Sequence, residues 1–75
     1  MITSTISRIE AQGDRIVVVV RFEGGAEPSE NHYVFEKDEE ITKEIIAKKA
    51  QPEKERLESI QNRLSELQIL VNEEV

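Results

Sequence analysis

The sequence predicts an α+β protein: a three-stranded antiparallel meander, then a short helix and a longer C-terminal amphipathic, coiled-coil-like helix. Three observations predict it. Apolar residues follow a strand-like period up to about Glu36 and a helical one after Asp38. The links between the first three segments are too short for crossover helices, so the sheet is antiparallel. The chain has 75 residues, about half a usual domain, so a β-meander at 1–37 and a helical segment at 38–75 form one structural unit.

The first strand is read at Ile2 to Gln12, rich in Thr, Ser and Ile. Its alternation is imperfect, because Ile2 and Ile6 share one parity and Ile9 has the other. Gly13-Asp14 is a tight-turn signal, since glycine supplies a positive φ without steric cost. The second strand, Arg15 to Glu23, is the clearest. Ile16, Val18, Val20 and Phe22 face one way, and Val17 and Val19 face the other. A polar loop at 24–30 leads to a third strand, Asn31 to Glu36, with Tyr33 and Phe35 on one face and His32 and Val34 on the other.

Asp38 is a candidate N-cap for the first helix, with Glu39 and Glu40 at the positive end of its dipole. Glu39 with Lys43 and Glu44 with Lys48 are favourable i,i+4 pairs. Pro52 then breaks or kinks the helical segment. Beyond it Leu57, Ile60, Leu64, Leu67 and Val71 are spaced 3, 4, 3, 4, the alternation of a heptad seam. The frame runs back through Pro52 to Ala50 and Ile46, with Glu53 at one core position. Ile69 and Leu70 lie off the seam and widen the apolar surface, which suits three or more helices or a bundle. This helix either folds back on its own sheet or joins chains. The second strand favours joining: Val17 and Val19 make it apolar on both faces, and one short helix covers only one. The expected contact surface is therefore Leu57, Ile60, Leu64, Leu67, Val71, Val17 and Val19.

Composition points the same way. Apolar residues are 37% and charged residues 35%, which leaves little material for a core. Chains this small usually need a staple. The absence of Cys excludes disulfides, and a single His with no Cys argues against zinc, so oligomerisation remains. A net charge of -6 argues against a general nucleic-acid binder. The longest apolar run, Ile16 to Val20, is far short of the roughly 20 residues of a membrane helix. The N-terminus lacks the pattern of a signal peptide, and cytoplasmic synthesis is the expectation.

No residue pattern supports catalysis. His32 is the only imidazole, and Glu30 and Glu36 make no triad or ligand spacing with it. Gly24-Gly25 lacks the strand–glycine–helix context of a phosphate loop. Asp38-Glu39-Glu40 is explained by a helix start more simply than by a cation site. The expectation is a non-enzyme with no catalytic, cofactor-binding or metal residues and no small-molecule substrate.

Residues 2–14, the valine-rich strand, the polar turn and Tyr33-Val34-Phe35 together resemble small proteins of tailed-bacteriophage structural gene clusters. Those proteins pair a short β-meander with a helix of variable length. The resemblance covers about the first half of the chain. It implies a minor virion component, at the head–tail region, the tail or the capsid, with itself and other virion proteins as partners. A different class of function is a small acidic phage-encoded inhibitor or regulator that binds a basic host protein. It rests on the excess of acids, though Lys and Arg interspersed through the helices dilute that field.

Overall fold

The computed structural model describes residues 1–25 and 27–75. Three strands, β1 (Thr3–Gln12), β2 (Arg15–Glu23) and β3 (Ser29–Glu36), form one antiparallel sheet in the order β1-β2-β3. A single helix, α1 (Lys43–Leu67), follows and tightens into a 3-10 turn at Gln68–Leu70. The α+β class and the meander are as the sequence predicts. Of the loop at 24–30, Ala26 lies outside the described residues.

The sheet owes its register to two local devices. Gly13 takes φ 61 as the first of the two residues between paired Gln12 and Arg15, the pattern of a type II′ hairpin. In β1 the register shifts between Ile6 and Arg8, so Ser7 is an extra residue. That bulge resolves the mixed parity of the isoleucines. Ile6 pairs with Val20 and Ile9 with Val18, so both lie on the face that α1 covers. On that face Ile2, Val18, Val20, Phe22 and Phe35 form the core with Ile46 and Ala50 of α1.

The helical segment departs from expectation in three ways. Thr42, not Asp38, is the N-cap: its Oγ1 accepts from the backbone N–H of Ile45 at 3.2 Å. Asp38 lies instead in a turn closed by the Glu39 N–H donating to the Glu36 carbonyl, which also puts Glu39 outside the helix. Secondly, no short helix precedes a long one, because α1 runs through Pro52 without interruption. A proline inside a helix removes one backbone bond, and the helical turns on either side hold the path. Thirdly, the regular path stops before Val71, whose ψ of 130 is extended, and Asn72 takes φ 77.

The molecule is elongated, 57 × 20 × 16 Å, with a radius of gyration of 16.3 Å. A compact chain of this length would have about 11 Å. The extra length is α1. Its first turns lie against β1, where Lys43 and Ile46 share a hollow with Ser4, Thr5 and Ile6; it then crosses one face and continues past the edge where Ile2, Phe22 and Pro28 lie.

Candidate functional site: a projecting apolar helix

The heptad seam is divided between two environments. Ile46 and Ala50 are buried on the sheet, and Leu57 packs against the same core. Ile60 is 50% exposed, Leu64 38% and Leu67 40%. Ile60 sits at the sheet's edge beside Ile2, Phe22 and Pro28, and Leu64 and Leu67 follow on the part of α1 that overhangs the sheet. A shallow hollow of about 400 Å³ follows them, lined by Ser59, Ile60, Arg63, Leu64 and Leu67. Val71 is 60% exposed but has left the helix, so it extends the apolar surface without continuing the stripe. Ile69 and Leu70, off the stripe, are also exposed.

Glu53 occupies a core position of the frame yet breaks nothing. It sits over the sheet and receives the Arg56 Nε on both carboxylate oxygens at 3.2 Å. This hydrogen bonding holds the Glu53 carboxyl below the usual glutamate range, against a smaller opposing effect of desolvation; Asn31 of β3 adds a little in the same direction. Lys49 lies 4.9 Å over the Phe35 ring. Where the helix crosses the sheet, Lys49 and Glu53 thus make polar contacts beside the buried Ile46 and Ala50.

Val17 and Val19 belong to a different surface. They lie on the open face of the sheet, yet are only 3% and 1% exposed. Register places Glu10 and Val34 beside Val17, and Arg8 and His32 beside Val19. Arg8 pairs with Glu10 and reaches across β2 to Glu30 at 3.6 Å, and Arg15 meets Glu36 at 3.6 Å. The aliphatic stems of these long side chains lie over the valines while their charges stay in water. The chain thus covers both faces of β2 by itself, and the argument that a second copy must do so is corrected. The signal was present in the sequence: each valine has a strand neighbour with a long charged side chain.

His32 is exposed on this open face. Among the described residues no three His, Asp or Glu side chains converge as a metal site would require. Among the described residues no helix is long and apolar enough to cross a membrane. The fold and its surface define a class: a small meander carrying a projecting amphipathic helix. Comparison with protein-family models, curated proteins and solved structures gives no match.

Proposed function

We propose that the protein is a non-enzymatic assembly protein that self-associates through the overhanging part of α1. One observation carries this reading. Ile60, Leu64 and Leu67 form an apolar stripe at helical spacing, and each stays between 38% and 50% exposed beside the described residues. Water against such a stripe is unfavourable, and a matching helix removes it. The resemblance of residues 2–14 and Tyr33-Val34-Phe35 to tailed-phage structural proteins supplies the setting, a minor component of a virion. Sedimentation equilibrium over a wide concentration range tests the first part. The expected result is reversible growth beyond the 8.6 kDa protomer. Mass spectrometry of purified particles tests the second. A protomer at every concentration, together with absence from particles, overturns the proposal.

A further inference from the structure

The end of α1 is a contest between two local structures, and its bearing on association rests on the self-association proposed above. The heptad spacing carries the stripe on to Val71, about two turns beyond Leu64. The backbone turns away first. Leu70 to Glu73 form a type II turn: Val71 has φ -64 and ψ 130, Asn72 has φ 77, and the Glu73 N–H donates to the Leu70 carbonyl at 3.1 Å. Val71 is left off the stripe and exposed.

Single residues decide this contest. The second central position of a type II turn needs a positive φ, which asparagine tolerates better than most residues other than glycine. Asn72 therefore fits the turn. Valine and asparagine are poor helix formers, and Glu73 and Glu74 would set two negative charges at the negative end of a longer helix. No basic side chain stands in the last turns to offset them. One effect opposes these. In a longer helix Val71 would lie four residues after Leu67, on the same side, and lengthen the stripe by about 6 Å. Only that form offers Val71 to a chain packed on the stripe, so association favours it.

We infer that residues 70–73 are a two-state end of α1: a type II turn in the protomer, and a further helical turn when chains associate through the stripe. Asn72 sets the balance between the two forms, and with it the length and strength of the contact.

Two substitutions at this one exposed position push the balance in opposite directions. Asn72→Gly favours the turn, because glycine takes a positive φ freely and is a poor helix former. Asn72→Ala favours the helix, because alanine resists a positive φ and is the best helix former. The ratio of the two forms should differ between these variants on the order of tenfold. Backbone chemical shifts of Val71 and Glu73 in the full chain, with sedimentation of the same samples, read both the conformation and the association. In Asn72→Gly, Val71 should stay extended at every concentration and association should be weakest. In Asn72→Ala, Val71 should be helical even when dilute and association tightest. The wild type should move from extended toward helical as concentration rises. Val71 shifts that are alike in the two variants would overturn the two-state end, whatever the mass. Shifts that differ while both variants associate equally would overturn its link to the contact. A protomer throughout would overturn self-association, and distinct Val71 shifts in the two variants would then leave the two-state end standing.

Discussion

Glycines and charges at single positions decide how the N-terminus and the helix meet the sheet. Gly24 has φ 98, and a side chain there would run into the Met1 carbonyl. Gly13 has φ 61 but open space around it. Gly24→Ala should therefore cost more than Gly13→Ala: about 1–3 kcal/mol for the backbone conformation, plus displacement of Met1 and Ile2 from the core edge. Urea unfolding of the two variants checks the order, and equal midpoints would mean that the N-terminus does not press on Gly24. Glu53 supplies a pH dependence. Its folded pKa is depressed by Arg56, so its contribution is complete above the ordinary glutamate value and disappears as pH falls through the lowered one. The stability gap between the wild type and Glu53→Gln should be open at neutral pH and close on acidification. A gap that ignores pH would place its origin in packing. Glu53 also shows what sequence reading misses at this scale: on the heptad it is a flaw, whereas in the fold it is a polar contact at the sheet's rim.

The strands show why some elements are plain in the sequence and others are not. β2 is read correctly, residue for residue, because its side chains alternate between the two faces from Ile16 to Phe22 with no irregularity in its pairing to β3. β1 looks ambiguous because a bulge changes parity in mid-strand, and no residue type marks Ser7 as the extra one. The helix start is misplaced because Asp38 and Thr42 are both good caps, and only the turn from β3 decides between them. Pro52 suggests a break that the surrounding helical turns override. The bulge carries a test. Without Ser7, Ile6 and Arg8 become neighbours, every partner in β2 is kept, and Ile9 remains on the helix-covered face. Deletion of Ser7 should therefore leave the circular dichroism spectrum intact and change stability by no more than about 1 kcal/mol, unlike most deletions within a strand. Loss of the cooperative thermal transition would mean that the bend supplied by the bulge, and not the pairing, is what the sheet needs.

At the scale of the whole molecule, one stripe of α1 serves two purposes in succession. The first turns hold the helix to the sheet and the last ones are left bare. A sequence shows the stripe but not the point where the sheet ends. That point depends on where the Thr42 cap starts the helix and on the lengths of β2 and β3, all set by tertiary contacts. This division predicts opposite consequences for one substitution at two places on the same side of the helix. Ile46→Glu would bury a charge among Val18, Val20 and Phe35 with no partner, and a small fold has little stability to lose. It should unfold the chain. Leu64→Glu places its charge where the side chain already touches water, so the protomer should keep its spectrum and its melting temperature at low concentration. Its effect should fall on association: two glutamates brought together at the centre of the contact repel, and the concentration dependence of melting expected of the wild type should vanish. Thermal melts of the two variants at several concentrations, with sedimentation of the folded one, give the comparison. If Leu64→Glu melts early even when dilute, the overhang is part of the protomer's own fold. If it leaves association unchanged, another surface joins the chains.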